Sequence, residues 1–406
     1  MRQRMFASIG TLAVAVALLK LVLTSVAAQA PAPPAKSRVT AKAGPASKTP
    51  WGEPDLQGIW TYEYQVPLQR PAKYAGREFF TDAEIAELDK QRAAQQSRDY
   101  RAARGSEADV AGAYNAVFLT LKHTGRRTSM VVDPPDGRIP SVTAEFQKQR
   151  DRDRAFQLAL MQATETCKSK DRGCAGGKYG PPSPRRGEVP PSYLTGAINR
   201  ADHPEDRSLG ERCLLGSVPD FGTAFGGSYR RIVQSPGAVS IFYDSGQGQG
   251  FQRIVPISTS AHLPSHIRQW WGDSRGHWEG NTLVVDVTNF AAKTNYQGSR
   301  ENLHLVERWT RTDANALEYA VTIEDPTTWT KPWTVKQELA KQSDETNRIY
   351  YEPRCHEGNY GLVGLLIGAR AMEAAFAAGR GPDPATLCIS GCTFGPTEEV
   401  ADPLQQ

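Results

Sequence analysis

From Tyr229 onward the chain is a succession of short segments that alternate apolar with polar residues, most of them ended by a turn signal. A period of two marks a strand with one buried face. Ile232-Val233 runs into Ser235-Pro236-Gly237, and strands are predicted at 239–243, 253–256, 282–290, 303–311, 316–325, 333–339 and 348–352. Earlier strands are expected at 57–64 and 128–133. Most gaps are too short for the helical crossovers that parallel neighbours need. The predicted fold is therefore mainly β, an antiparallel meander that closes into a barrel or packs as a sandwich.

Alternation also assigns faces. Leu303, Leu305, Glu307 and Trp309 share one phase; so do Leu317, Tyr319, Val321, Ile323 and Asp325, and so do Leu283, Val285, Val287 and Asn289. Each strand thus puts one polar residue on its apolar face. Such a group needs a partner or costs a few kcal/mol, of order 2–7. Glu307 is either an acid/base or ligand-orienting group in a cavity or one half of a salt bridge with an arginine. Asn289 and Asp325 end their strands, where such residues commonly start turns. The turn at Asp313-Ala314-Asn315 sets an approximate register, 309 near 318 and 303 near 324, with Asn289 near Leu303. Asn289, Asp325 and the 291–302 loop, with Asn295 and Glu301, then share one end of the sheet, and Glu307 lies deeper, roughly 15 Å along its strand at ~3.4 Å per residue.

The densest group of functional side chains is 262–280: His262, His266, Arg268, Trp270, Trp271, Asp273, His277 and Glu279. Adjacent tryptophans supply an apolar wall and the His, Asp and Arg residues orienting groups, which is what a small-molecule pocket requires. The alternative is a surface loop. His262 and His266 are four apart, as metal ligands on a helix would be, but Pro264 lies between them and no Glu follows His262, so the metalloprotease pattern is absent. Cys355 and His356 are neighbours in sequence, and neighbours on a strand face opposite ways, so they do not form a thiolate–imidazole pair. There is no Gly-x-Ser-x-Gly elbow, phosphate-binding loop or dinucleotide fingerprint.

The chain begins with Arg2 and Arg4, continues through a mostly apolar stretch from Ile9 to Leu23, and reaches Ala28-Gln29-Ala30. This is the three-part pattern of a signal peptide cleaved after Ala30; its apolar run falls short of the ~18 residues of a span. A periplasmic or secreted location is expected. No later stretch reads as a second span, so the mature chain is expected to carry none. The formal charge is +4, and three of the basic residues sit in the leader, which leaves the mature chain near +1; nucleic acid, which wants a concentrated basic surface, is not an expected partner. The six cysteines then read as disulfides. Cys167 with Cys174 and Cys388 with Cys392 bracket short turns, leaving Cys213 with Cys355 as a long-range staple worth about 4 to 5 kcal/mol in the loop-entropy description. A metal site built on Cys-x3-Cys is the alternative.

Residues 31–50 read as a linker rich in Pro, Ala, Lys and Ser. Thr81 and Glu84 form a capping box for a helix over 82–104. A second charged helix is expected over 143–166, a Gly- and Pro-rich loop over 174–191 and a helix over 362–378. The expected organisation is a leader (1–30), a linker (31–50), an N-terminal region (51–190), an antiparallel β domain (191–380) and a tail (381–406).

Seven motifs occur in order between about 51 and 370: Trp51 to Trp60, Val132 to Pro140, Glu211-Arg-Cys-Leu214, Arg268 to Gly280, Asn302 to Arg311, Asp325 to Trp333 and Cys355 to Tyr360. Together they resemble a large family of exported bacterial proteins common in soil bacteria, from which no activity or catalytic residue carries over. Asp55 to Trp60 separately resembles the Gly-x-Trp start of lipocalin-type barrels.

The expected function is binding of a small, partly apolar or aromatic molecule, with metal-independent acid/base chemistry (lyase, hydratase, isomerase or hydrolase) as the enzymatic form. Glu307, Asp325, His304 and His277 are the candidate catalytic groups. His262, His266, Arg268, Trp270, Trp271, Asp273, Asn289, Asn295 and His356 are the candidate ligand contacts. No cofactor or metal is expected. A metal-dependent hydrolase using His262, His266 and Asp273 or His277, and an envelope interaction protein docking through its charged helices, are the alternatives.

Overall fold

The computed structural model describes residues 48–95, 123–214, 216–221, 229–246, 249–342, 355–356, 359–390 and 392. The expected leader, nearly all of the linker, the 348–352 strand and the end of the 82–104 helix lie outside them.

The core is a ten-stranded antiparallel sheet. Around it run β1 (Gly58–Thr61), β5 (Tyr229–Ser235), β6 (Ala238–Gly246), β7 (Gln249–Pro256), β8 (Asp273–Glu279), β9 (Thr282–Thr288), β10 (His304–Asp313), β11 (Ala316–Glu324) and β12 (Trp333–Lys341). β1 pairs with both β5 and β12, so chain order is also the order round the ring. The remaining member, β4 (Val131–Asp133), pairs with β12 off this path, while β2 (Tyr64–Gln65) and β3 (His123–Thr124) form a separate parallel pair. The Gly58-Ile59-Trp60 motif is β1 itself, so a strand from the expected N-terminal region completes the β domain.

An odd number of strands cannot close with every neighbour antiparallel. The path holds nine, and the one parallel contact falls between β7 and β8, where Ile257 bridges Gly276 and Ser258 N–H donates to the Gly276 carbonyl at 3.0 Å. The expected barrel is therefore nearly closed, with a thin seam. Gly276 allows the close approach: a Cβ there would sit 2.9 Å from Val255 Cγ1 and 3.0 Å from Ile257 Cδ1. To start β8 in the direction of β7, the chain must return along the barrel, and residues 257–272 make that return. The 262–280 segment is thus two structures, a connection and the strand β8. No strand is expected at β8 from the sequence, because Asp273-Ser-Arg-Gly-His-Trp-Glu279 carries little apolar alternation.

The inward phases are as expected. Leu305, Glu307 and Trp309 are buried, as are Leu317, Tyr319, Val321 and Ile323, and Leu283, Val285 and Val287. Trp309 pairs with Tyr319 and Leu283, and Leu305 with Val287. The β10–β11 register is one residue from the expected one because the ladder shifts between Arg311 and Asp313 at the hairpin.

Thr81 and Glu84 form the expected capping box at α1 (Asp82–Gln95): Glu84 N–H donates to Thr81 Oγ1 at 3.2 Å and Thr81 N–H to Glu84 Oε2 at 2.8 Å. Thr143 caps α2 (Ala144–Met161), which packs Phe156 and Leu160 against Leu194 and Ile198. The expected 143–166 helix breaks after Met161, and α3 (Glu165–Lys168) follows. All six cysteines are paired as expected, Cys167–Cys174, Cys213–Cys355 and Cys388–Cys392, with Cα separations of 5.0, 5.2 and 6.1 Å. These bridges also remove the Cys-x3-Cys metal alternative. Among the described residues one helix, α4 (Tyr360–Ala377), is long and apolar enough to cross a membrane by length and composition alone, with mean hydropathy 1.3 and 11% of it buried. Its Arg370 donates to the carbonyls of Ala201 and Asp202.

Candidate functional site

β9, β10 and β11 each expose one face to the barrel interior and one to solvent, and ionisable groups gather on both. On the inside, β7 contributes Arg253 and β10 contributes Glu307, 4% and 0% exposed. Arg253 Nη2 donates to Glu307 Oε2 at 2.5 Å and to Tyr243 Oη at 2.8 Å, and Tyr319 Oη donates to Glu307 Oε1 at 2.7 Å. Glu307 therefore has the arginine partner that its place in the apolar phase called for. Burial works against the Arg253 charge, but the Glu307 carboxylate outweighs it and holds the guanidinium above its ordinary range. Burial pushes the Tyr243 and Tyr319 hydroxyls well up. Arg253 Nε and Nη1 and Trp309 Nε1 have no protein acceptor among the described residues.

On the outside, acids and imidazoles alternate in a chain that crosses four strands. Asp273 Oδ2 faces His262 Nδ1 at 2.9 Å, and His262 Nε2 faces Asp286 Oδ1 at 2.7 Å. Asp286 Oδ2 faces His304 Nε2 at 2.9 Å, and His304 Nδ1 faces Glu324 Oε2 at 3.4 Å. Asp273 also accepts from Leu263 N–H and Arg275. Burial raises the Asp273 carboxyl, yet these donors outweigh it and hold it below its usual value. The hydrogen bond to Asp286 holds His304 above the imidazole range, and the same bond holds Asp286 low.

The structure thus joins His262, Asp273 and His304 of the expected site and adds Asp286 and Glu324. Asp286 was legible as the one polar residue of Leu283-Val-Val-Asp-Val287, in the phase opposite to Glu307. Glu307 lies across the barrel wall from this network. His277 bonds Glu279 on the outer surface of β8, and His266 is exposed. Asp325 is buried in its turn, where Ser299 Oγ, Thr327 N–H and Oγ1 and Thr328 Oγ1 all donate to it. His356 lies beside the Cys213–Cys355 bridge, and its carbonyl accepts from Asn359. Among the described residues no three His, Cys, Asp or Glu side chains gather at metal-ligand distance.

The remaining expected residues build one end of the barrel. Asn289, at φ 57°, donates to the Leu263 carbonyl at 2.7 Å, and Arg268 donates to the carbonyls of Phe290 and Glu301. Asn295 accepts from Gly298 N–H and donates to Thr195. These bonds fix the 262–272 and 289–303 loops side by side. Between them and the 195–217 segment lies a cavity of about 370 Å³, with Trp270, Thr294 and Asn295 on one side and Ser208, Leu209 and Ser217 on the other. Gly216 also lines it and lies directly on Phe251; a Cβ there would meet the Phe251 ring at 2.5 Å. Behind that wall Trp271 stacks on Phe251 at 4.5 Å, and Phe251 on Tyr243 at 4.6 Å, which leads to Arg253 and Glu307. A second cavity of about 530 Å³, between Gly187 and Asp206, lies outside the barrel, and none of the expected site residues lines it.

No family model and no curated protein matches the chain. Among solved structures, the wild-type fluorescent protein UnaG is 14% identical over 28% of this chain and 72% of its own, with a TM-score of 0.18. A single-site mutant of UnaG is 13% identical over 30% and 79%, with a TM-score of 0.19.

Proposed function

We propose that this protein is exported and binds a small, partly apolar molecule in the cavity at the end of its barrel. The cavity itself carries the reading: about 370 Å³, walled by Trp270 and backed through Gly216 by the Phe251–Trp271 stack. Its volume is that of ordinary ligand sites, and an aromatic wall with a few hydroxyl and amide groups is their usual lining. Ser208, Ser217, Thr294 and Asn295 orient polar atoms of the guest, while Trp270 stacks on its flat part. The signal-like N-terminus and three disulfides support export.

The test uses the neutral aromatic dye N-phenylnaphthylamine. Wild-type protein is expected to bind it saturably at one site, with energy transfer from tryptophan, and Trp270→Ala to bind at least about tenfold more weakly, the effect of losing about 1.4 kcal/mol. Equal binding by both proteins would overturn the reading.

A further inference from the structure

The loop that forms the cavity wall is fastened by a histidine. Residues 262–272 run from His262 to the Trp270-Trp271 pair. His262 sits between two carboxylates, Nδ1 at 2.9 Å from Asp273 and Nε2 at 2.7 Å from Asp286. A carboxylate only accepts, so each ring nitrogen must donate, and an imidazole donates through both nitrogens only when it carries the extra proton. Both carboxylates are held in the accepting form, as Asp273 and Asp286 are each kept below the usual range by their donors.

We propose that His262 is a proton-operated clamp that ties the 262–272 loop to β8 and β9, so that the cavity wall carrying Trp270 is ordered when His262 is protonated and loosens when it is not. This rests on the ligand reading above for its consequence, although the clamp can be observed without a ligand. The charged groups around His262 are Asp273 and Arg275 on β8, Asp286 on β9, His304 on β10 and Glu324 on β11; on its own loop Arg268 is committed to backbone carbonyls and His266 is exposed. When His262 loses its proton, Asp273 keeps Arg275 and Leu263 N–H as donors. Asp286 keeps His304, but a ring nitrogen lone pair now faces one of the two carboxylates. Only one of the two carboxylate bonds then remains, and the loop hangs on that bond, Asn289 and Arg268. Order and ligand affinity therefore fall when the second ring proton is lost.

The experiment follows the indole N–H signals of Trp270 and Trp271 by NMR in tryptophan-labelled protein, without ligand, from about pH 5 to about pH 9, a window centred on imidazole titration. Both signals are expected to shift and broaden with one apparent pKa in wild type and to stay flat in His262→Gln, with N-phenylnaphthylamine affinity falling about tenfold over the same span in wild type only, one pKa unit of linkage. Flat wild-type indole signals, or an unchanged titration in His262→Gln, overturn the clamp whatever the dye does. If His262→Gln does not fold, ring nitrogen shifts of histidine-labelled wild type decide: doubly protonated His262 at low pH supports the clamp, and a neutral ring there overturns it. Titrating indoles with no dye binding at any pH would keep the clamp and reject the ligand reading.

Discussion

The two ionic clusters of this barrel share a wall. Glu307 and His304 lie three residues apart on β10, yet one points into the core and the other out to Asp286. Inside, Arg253 and Glu307 are sealed from water and paired with each other. Outside, His262, Asp286 and His304 are 26%, 39% and 35% exposed, so the same kinds of group keep contact with water. Chemistry available to a carboxylate here is set by which face of the strand it occupies. Substitutions on each face can break this contrast.

The largest effect is expected at Glu307. Glu307→Gln leaves Arg253 buried without its counter-charge, and a loss of about 3–5 kcal/mol is expected in chemical denaturation. Replacing both partners, Glu307→Leu with Arg253→Met, should recover most of it. A single-variant loss under about 1 kcal/mol would end the claim that the inner cluster is structural. Next comes the seam: Gly276→Val pushes a branched side chain into Val255 and Ile257, with an expected loss of about 1–3 kcal/mol by calorimetry.

On the outer face, Asp286→Asn should cost no more than about 1 kcal/mol, because the groups are exposed and screened. Its signature is instead in titration. His304 is held high by Asp286, so its contribution is present below the ordinary imidazole range and is lost as pH rises through the raised value. Asp286 is held low, so its contribution is present above the ordinary carboxylate range and is lost as pH falls through the lowered value. The network is worth most between the two, and Asp286→Asn should lower the His304 midpoint in an NMR titration. An unchanged midpoint would show that the contact is not made in solution. The smallest stability effect is expected for Trp270→Ala, within about 0.5 kcal/mol, while dye binding weakens at least about tenfold.

Most of the fold was legible. The alternating runs marked the described strands except β8 and the two-residue β3, and put Glu307, Leu305 and Trp309 on the buried face, because a half-buried strand must alternate. Thr81 announced its helix through the capping box with Glu84, and the spacing of Cys167 with Cys174 and of Cys388 with Cys392 left Cys213 for Cys355. Less of the site was legible. Asp325 and Asn289 shared the apolar phase with Glu307, yet they serve turns, since the last residue of a strand is also the first of the turn that succeeds it. β8 was hidden because a seam strand with Gly276 at its contact needs few apolar residues. Asp286 showed as an isolated acid, but nothing local tied it to His262, which is 24 residues away.

What the sequence by itself determined is the set of faces, the pairing of cysteines and the antiparallel order, all of which come from short-range periodicity and spacing. What only the tertiary structure decided is which groups meet. Arg253 finds Glu307 across the barrel at a separation of 54 residues. The 257–272 return exists because nine strands leave one parallel neighbour, and that return carries His262 to Asp286 and Trp270 to the cavity. Closure of a ring is a property of all its strands together, and no single segment of the chain encodes it.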